Sequence, residues 1–181
     1  TWNSQALFCE LDRPVSSRRD SKKRQRCKLL SKHHAVLLQE VHGTAGYYLS
    51  WAAPRGSKAY FSPGVTTSCA GVGIVVSIEF LSQFDPDPIF EAVFPGRAAV
   101  LRLRGNKGAL DLWTIYGHTG GEVTDNDLHG TLPDVRPRIR SFVDLRDHLR
   151  NRVARAMAPA LDALTILGGG FNYVTATADR R

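Results

Sequence analysis

The strongest constraint in this sequence is a pair of adjacent segments, residues 98–104 and 110–116, joined by Gly105-Asn106-Lys107-Gly108. Apolar and basic residues alternate along the first segment. A period of two is typical of a β-strand, because successive side chains point to opposite faces of a sheet. A short connection containing Gly and Asn is typical of a β-hairpin. Residues 98–116 therefore predict an antiparallel hairpin.

Other short apolar runs predict further strands. Residues 35–39 form a compact run that suits a buried strand, and the β-branched residues 71–76 suit a central one. The remaining strand candidates are shorter: residues 6–8, 47–51, 59–61 and 164–167, the last running into Gly168-Gly169-Gly170. The Asp-Pro-Asp-Pro sequence at residues 85–88 predicts a turn.

Two segments predict helices. Residues 16–32 are polar and basic and form a possible helix, whereas residues 133–157 show a clear apolar stripe at steps of three and four residues. Helices that interrupt more numerous strands indicate mixed α/β layers rather than a helical bundle. The stripe consists of Ile139, Phe142, Leu145, Leu149, Val153 and Met157.

Length and composition set broad limits. A chain of 181 residues with 43% hydrophobic residues suits a single domain, residues 1–181, with its own core. We expect no transmembrane helix, since no apolar run approaches 18 residues, and the N-terminus does not resemble a secretory signal. Because the sequence begins at Thr1, we expect a fragment or a processed product. Three cysteines, Cys9, Cys27 and Cys69, match no zinc spacing and favour free thiols in an intracellular protein.

The net charge of +7 is unevenly distributed. Residues 1–34 carry nine basic against three acidic residues, and residues 134–155 carry seven against three. Residues 35–133, in contrast, carry six basic against nine acidic residues. Separated positive segments are compatible with a polyanionic partner, but also with ordinary solvated helix faces, so charge alone leaves both interpretations open.

Four short stretches, in one order along the chain, resemble the endonuclease/exonuclease/phosphatase superfamily. The closest resemblance is to endonuclease domains of LINE-type retroelements, relatives of apurinic endonucleases, and Asp179-Arg180 supports it. The order and spacing carry the resemblance, which spans nearly the whole chain. The stretches are Thr1-Trp2-Asn3, Leu37-Leu38-Gln39-Glu40, Trp113-Thr114-Ile115-Tyr116 and Leu167-Gly168-Gly169-Gly170-Phe171-Asn172.

The resemblance implies a fold and a place for the site. The fold is an α/β, four-layer α-β-β-α sandwich of two mostly antiparallel sheets, expected to be incomplete at the C-terminus. The site lies at the ends of the sheets, where Asn3, Glu40, Tyr116 and Asn172 are expected to converge. In the family, Glu40 corresponds to a metal ligand, and Asn3, Tyr116 and Asn172 to residues that act on the substrate phosphate.

The chemistry of this family needs a divalent cation and a group that activates water. Mg²⁺ prefers oxygen ligands and keeps several waters, so a single carboxylate such as Glu40 can anchor it. The activating group is the Asp of the family's Gly-Gly-Asp-Phe-Asn signature, and here Gly170 occupies its position. Losing a general base commonly slows a reaction on the order of 10²–10⁴-fold, so we expect impaired catalysis.

A second departure from the family lies at the C-terminus. The family's further Asp and its terminal Asp-His pair come after the Asn signature, and this sequence has no Ser-Asp-His. We expect either that the native chain continues past Arg181 or that its last strands have been lost. Loss of these strands would leave a sheet edge exposed unless another chain covers it.

DNA is the partner that the resemblance implies. Arg18, Arg19, Lys22, Lys23 and Arg24 are candidates for contacts with its phosphates. An exposed helix face between two strands explains the same basic run and is slightly favoured. The arginines between residues 136 and 155 lie opposite the apolar stripe and suit a solvated face. His118, two residues after Tyr116, has no family counterpart that would give it a role.

Two functions of different classes remain open from the sequence. The first is a Mg²⁺-dependent DNA endonuclease of retroelement type, impaired by Gly170 and by the missing C-terminal elements. The second is a non-catalytic structural or binding subunit of a larger assembly that reuses the same scaffold. A phosphatase acting on a small phosphoester is a weaker third possibility, since no specificity signature for it is present.

Overall fold

A computed structural model describes residues 1–4, 21, 24–25, 28–29, 31–43, 56–64, 70–118, 123–125, 127–128, 131, 133–158 and 162–171. The predicted strands at residues 6–8 and 47–51 lie outside these residues. So do the three cysteines and five of the candidate site residues: Arg18, Arg19, Lys22, Lys23 and Asn172. Within the predicted helix at residues 16–32, the described positions 21, 24–25 and 28–29 have helical backbone.

The first sheet contains four strands among the described residues, in the order β1-β2-β4-β3. Strand β1 is parallel to β2, whereas β4 pairs antiparallel with both β2 and β3. The central position of β4, and the strand that precedes Glu40, confirm two predictions made from apolar runs. The strands are β1 (Trp2–Asn3), β2 (Ala35–Gln39), β3 (Ser57–Ser62) and β4 (Val72–Ser77).

The second sheet contains four further strands, in the order β5-β6-β7-β8 among the described residues. Strands β6 and β7 form the predicted hairpin, in which Gly105 pairs with Gly108 across a two-residue loop. Strand β8 is parallel to β7 and continues through all three glycines to Gly170. The strands are β5 (Ile89–Phe94), β6 (Ala98–Gly105), β7 (Gly108–Tyr116) and β8 (Leu164–Gly170).

The two sheets pack face to face through an aliphatic layer. Each fully buried Leu, Ile or Val side chain in such a layer contributes about 1.5–3 kcal/mol relative to exposure. The alternate residues of the hairpin point to the opposite face of the second sheet, where they pack against a helix. The alternating pattern therefore divides the apolar residues of the hairpin between two cores. The layer between the sheets consists of Leu37, Ile74, Val76, Leu101, Leu103, Leu110 and Leu112.

Helix α2 (Phe142–Met157) covers the outer face of the second sheet, where Leu145, Leu149 and Val153 are buried. It follows a short helix, α1 (Ile78–Leu81), that was not predicted. The two sheets pack face to face, and the helix lies outside them. Each sheet has one parallel pair among its described strands and is otherwise antiparallel. This arrangement confirms the predicted α/β sandwich of mostly antiparallel sheets.

The predicted start of the long helix at residue 133 was wrong. The helix begins after Ser141, whose hydroxyl accepts the N–H of Asp144 at 3.2 Å, while the Asp144 carboxylate accepts the N–H of Ser141 at 2.9 Å. This capping box fixes the start of the helix at Ser141, because it satisfies backbone N–H groups of the N-cap and the first turn that have no partner within the helix. Upstream, Pro137 lies in a short 3₁₀ turn (Arg136–Arg138), and Ile139 is extended.

Strand β5 was also missed, for a reason visible in its residues. It is at one end of the second sheet, and its pairing with β6 shifts register between Glu91 and Phe94. Ile89 is 60% exposed although it is apolar, so burial does not follow an alternating pattern. A strand that contains an irregularity at a sheet edge lacks the periodicity on which sequence prediction relies.

Strand β8 lies at the other end of the second sheet among the described strands, and it exposes apolar side chains on both faces. Leu164 and Ile166 are exposed on one face, and Leu167 on the other. Leu167 and Phe171 line an apolar groove of about 570 Å³ against α2. Strand β8 thus presents apolar side chains to solvent on both of its faces among the described residues. No described helix is long and apolar enough to cross a membrane.

The arginines of the alternating segment have a structural role. Asp111 is fully buried, and its two carboxylate oxygens accept hydrogen bonds from Arg102 at 2.6 Å and from Arg104 at 2.7 Å. Arg102 also donates to the carbonyl oxygen of Ala156 near the end of α2, at 2.9 Å, and lies over the ring of Trp113. These contacts join the hairpin to the helix.

We predict that Asp111→Asn lowers the free energy of unfolding by about 3 kcal/mol, because removing one partner leaves buried charge without compensation. The exposed pair of Arg150 and Asp147, 3.2 Å apart, provides the control. Asp147→Asn is expected to change stability very little, since water screens exposed pairs. Urea unfolding measures both variants, and equal losses would contradict the structural role of Asp111.

Candidate active site

The candidate site lies where the parallel strand pairs end. In the first sheet, β1 and β2 place Asn3 beside Gln39, so Glu40 follows directly at the same edge. In the second sheet, β7 and β8 place Tyr116 beside Gly170. Because both members of each pair run in the same direction, their C-terminal ends share an edge.

Buried hydrogen bonds hold these two edges together across the sandwich. The Gln39 side-chain amide donates to the hydroxyl of Thr114 at 3.1 Å, and that hydroxyl donates to the carbonyl oxygen of Leu38 at 3.0 Å. Gln39 and Thr114 are both buried. Glu40 is one residue beyond this junction and Tyr116 is two residues beyond it, so the structure brings both candidates to one end of the molecule.

The backbone around Glu40 is strained. Glu40 and His42 have φ angles of 52° and 55°, and Ala70 on the facing segment has 56°. Such left-handed angles cost about 1–2 kcal/mol for a residue with a side chain. Bonds from Val41 N–H to Gly71 O at 3.1 Å and from His42 N–H to Ala70 O at 3.0 Å hold the conformation. Strain of this kind concentrates at functional sites.

Tyr116 is nearly buried at the end of β7. It packs on Val72 and Ala99, one from each sheet, and the guanidinium of Arg97 lies over its ring at 5.0 Å from the centroid. The N–H of Tyr116 donates to the carbonyl oxygen of Arg97 at 2.7 Å. The phenol is thus held between the sheets, at the same end as Glu40.

The three glycines at the end of β8 are not equivalent. A β-carbon on Gly168 would collide with Thr1 and Leu37, and one on Gly169 would collide with the carbonyl oxygen of Ile115. At Gly170, the nearest described atom to an added β-carbon is Cδ2 of Tyr116 at 3.6 Å, an ordinary contact. Backbone packing therefore requires glycine at position 169, and a side chain at position 168 would have to displace the Thr1 and Leu37 side chains, whereas the position beside Tyr116 has room for a side chain.

A charged cluster behind Tyr116 was missed from the sequence. Arg97 pairs with Asp127 at 3.2 Å, and Nδ1 of the buried His118 lies 3.5 Å from the same carboxylate oxygen, without hydrogen-bond geometry. His118 was noted for its position but was given no role. Arg97 and Asp127 are 30 residues apart and share no motif, so no local signal links them.

The surroundings shift the pKa values of two members of this cluster. Burial, reinforced by the charge of Arg97, lowers the pKa of His118 from 6.5 to about 4, although Asp127 opposes the shift. Burial works against ionisation of Asp127, yet hydrogen bonds from the Thr124 hydroxyl and N–H, and the charge of Arg97, hold its pKa below its usual range. At neutral pH, the cluster therefore contains a neutral imidazole beside an ion pair.

The other predicted site residues are described only in part. The backbone of Asn3 pairs with β2 at the site edge, and Asn172 lies outside the described residues. Arg24 is exposed in helical backbone and donates to the Ser21 hydroxyl at 3.5 Å. Of the four residues expected to converge, the structure thus brings together Glu40, Tyr116 and the backbone of Asn3.

We predict that Glu40→Gly is more stable than Glu40→Ala by about 1 kcal/mol, because only glycine adopts a positive φ without strain. Ala109, which has extended backbone in β7, provides the control, because glycine is expected to be less stable than alanine there. Ala109→Gly should lose about 0.5–1 kcal/mol through the flexibility of glycine in the unfolded chain. Chemical denaturation compares the three variants, and a Glu40→Gly protein less stable than Glu40→Ala would contradict the strain.

We predict that the chain loses stability as pH falls from about 6.5 to about 4, the ordinary and folded pKa values of His118. In this window the unfolded chain binds a proton that the folded chain does not, so acid favours unfolding. The full difference in pKa corresponds to about 3 kcal/mol. Above pH 7 neither state binds the proton, and stability no longer depends on His118.

The measurement is thermal or urea unfolding between pH 4 and pH 8. His118→Gln should reduce the slope, because glutamine fills similar space without titrating. Burial and the charges of Arg152 and Arg155 also lower the pKa of His148, which accounts for a remaining slope. An unchanged slope in His118→Gln would show that His118 does not titrate as described.

Comparison with known proteins bears on the fold. No protein-family model and no curated protein matches the sequence. Solved structures of TDP2 do match it, each at 16% identity. A humanized D. rerio TDP2 carrying 14 mutations and D. rerio TDP2 with a single-strand DNA product both give a TM-score of 0.53 over 97% of this chain. TDP2 from C. elegans gives 0.50 over 96%.

This chain spans only 62%, 60% and 47% of those three chains, respectively. At 16% identity, the similarity shows a shared fold and does not by itself assign an activity. The two packed sheets and this similarity together show that the chain shares the α/β sandwich fold of these structures, as its sequence predicted.

Proposed function

We propose that this chain is a Mg²⁺-dependent DNA phosphodiesterase domain of the retroelement endonuclease type, impaired because Gly170 replaces the residue that activates water. The observation that carries the proposal is the space beside Tyr116. A β-carbon at Gly169 would collide with backbone and one at Gly168 with two side chains, but an added β-carbon at Gly170 meets only ordinary contacts among the described atoms. The scaffold therefore keeps the position of an aspartate while lacking its carboxylate.

The described donor set fits Mg²⁺ with Glu40 as its anchor. Mg²⁺ is commonly held by one or two carboxylates, with waters and substrate phosphate completing its octahedron. No group of three His, Cys, Asp or Glu side chains capable of holding a metal occurs among the described residues, so Glu40 would supply the main protein ligand. When bound there, the ion would neutralise charge that develops on the phosphate.

The remaining candidates would orient the substrate. Tyr116 presents a phenol donor at the same edge as Glu40, and donors fixed in advance stabilise charge that develops on a phosphate oxygen. Asn3 ends β1 at this edge, and the family resemblance assigns it and Asn172 contacts with the metal or the phosphate. With glycine at position 170, these residues bind and orient a phosphodiester without supplying a base.

DNA is the substrate class that the charge distribution and the structural neighbours favour. Residues 1–34 carry a net charge of +6, and Lys and Arg side chains bind DNA largely through its phosphates. Arg18, Arg19, Lys22, Lys23 and Arg24 are the proposed backbone contacts. D. rerio TDP2, which shares the fold, was solved with a single-strand DNA product.

We predict that Gly170→Asp raises Mg²⁺-dependent nicking of supercoiled plasmid by on the order of 10²–10⁴-fold over the unaltered chain. The variant should fold normally, because the site accepts a β-carbon at 3.6 Å from Tyr116. Gly170→Asn is the matched control, since it has the same size and no basic carboxylate. Adding Glu40→Gln to the aspartate variant should abolish the gain by removing the proposed metal ligand.

Two outcomes would count against this proposal in different ways. If the unaltered chain nicks as fast as Gly170→Asp, the site is not impaired by the glycine. If folded Gly170→Asp stays inactive with Mg²⁺, the chain is not a nuclease domain. Circular dichroism and unfolding curves show whether each variant is folded, so that inactivity is not mistaken for misfolding.

The second candidate is a non-catalytic structural or binding subunit of a larger assembly. The observation that favours it is the exposed apolar surface along β8, including Leu164 at 68% and Phe171 at 47% exposure. Such a surface is unusual on a monomer and marks a place where another segment or chain packs. An inactive, well-folded Gly170→Asp protein that binds DNA no better than the unaltered chain would favour this candidate.

A further inference from the structure

Arg97 lies on a turn that is tied to both sheets. The turn connects β5 to β6, and Gly96 within it has a φ angle of 70°. The N–H of Gly96 donates to the Ser62 hydroxyl at 2.8 Å, and the N–H of Gly71 donates to the carbonyl oxygen of Gly96 at 2.9 Å. Both partners belong to the first sheet or its edge, so the backbone of Arg97 is placed by the packing of the two sheets.

The side chain of Arg97 is held from one side and contacts Tyr116 on the other. Its guanidinium is 3.2 Å from Asp127 and 5.0 Å from the centroid of the Tyr116 ring. Asp127 is itself fixed, because its second carboxylate oxygen accepts the Thr124 hydroxyl at 2.6 Å and the Thr124 N–H at 3.1 Å. With only 10% of its side chain exposed, Arg97 is placed to act through Tyr116 rather than on a substrate.

Position 170 borders an edge of the Tyr116 ring, whereas Arg97 covers its face. A side chain at position 170 would lie against Cδ2 and Cε2 of the phenol, at 3.6 and 3.9 Å from its β-carbon. Without it, that edge of the ring has no packing from position 170. The Arg97 guanidinium contacts the face of the ring, which is the side that cations prefer. This contact does not require a side chain at position 170.

We propose that Arg97, oriented by Asp127, is a positioning residue that fixes the Tyr116 phenol for phosphate contact. The role rests on the proposed phosphodiesterase function of the site, but the orientation of the ring can be measured without activity. Strand β6, which begins directly after Arg97, offers a contrast in Arg104, which pairs with Asp111 at 2.7 Å and lies seven residues farther along the chain. Arg104 helps to hold the hairpin through Asp111, whereas Arg97 lies beside the proposed site.

The first experiment measures the ring itself by ¹⁹F NMR of protein labelled with 3-fluorotyrosine. Tyr116→Phe assigns the Tyr116 signal. Arg97→Lys keeps the charge but loses the planar guanidinium, and Asp127→Asn keeps Arg97 but loses the carboxylate that orients it. Both should shift or broaden the Tyr116 signal, whereas Arg104→Lys should not. Asp127→Asn alone decides the question if Arg97→Lys does not fold.

A Tyr116 signal that is unchanged in Asp127→Asn and in folded Arg97→Lys would overturn the proposal. So would an equal change in Arg104→Lys, which would show a general response to altered arginines. These outcomes do not depend on whether the chain cleaves DNA. The positioning role and the phosphodiesterase function can therefore fail separately.

The second experiment is a double-mutant cycle in the Gly170→Asp chain, with a labelled DNA duplex and Mg²⁺. Arg97→Lys should lower kcat on the order of 10- to 100-fold, the loss expected from a misplaced group, and leave KM within about twofold. In the Tyr116→Phe background, the same change should have no further effect, because its target is absent. Losses that multiply would overturn the proposal. If Gly170→Asp does not cleave DNA, the NMR result decides the positioning role.

Discussion

The buried hydrogen bonds from Gln39 to Thr114 and from Thr114 to Leu38 are the constraint on which the site depends. They join the ends of β2 and β7, which belong to different sheets, in a region from which water is excluded. Buried polar groups left without partners are costly, so these contacts specify one alignment of the sheets. That alignment places Glu40 and Tyr116 at one end of the molecule. Without it, each would be only a polar residue at the end of a strand.

Two acids, the fully buried Asp111 and the partly exposed Asp127, show that similar ion pairs can have different roles. Asp111 binds Arg102 and Arg104 and fastens the hairpin to α2. Asp127 binds Arg97, whose guanidinium covers the ring of Tyr116. The first pairing stabilises a core, and the second lies beside the proposed site. Charge alone does not distinguish them, since their roles follow from what each arginine contacts.

Sequence prediction succeeded where the signal was local and periodic. The hairpin of residues 98–116, the strand before Glu40 and the apolar stripe of α2 all follow from spacing within one element. It failed where spacing is broken: β5 has a shift in register, and α2 starts later than its stripe suggests because Ser141 caps it. The sequence also gives no indication that Arg97 meets Asp127, because their contact crosses 30 residues.

The sequence by itself determined the hairpin, the strand before Glu40, the family that the motifs resemble and the absence of a carboxylate at position 170, since these are properties of residue type and order. Only the tertiary structure decided which of three adjacent glycines can be replaced. The local sequence treats them alike, but Gly168 faces Leu37 of the other sheet, Gly169 meets the backbone of β7, and Gly170 lies beside Tyr116 with room for a side chain. The physical reason is that steric space is set by neighbours distant in the chain, and those neighbours are fixed only when the two sheets pack.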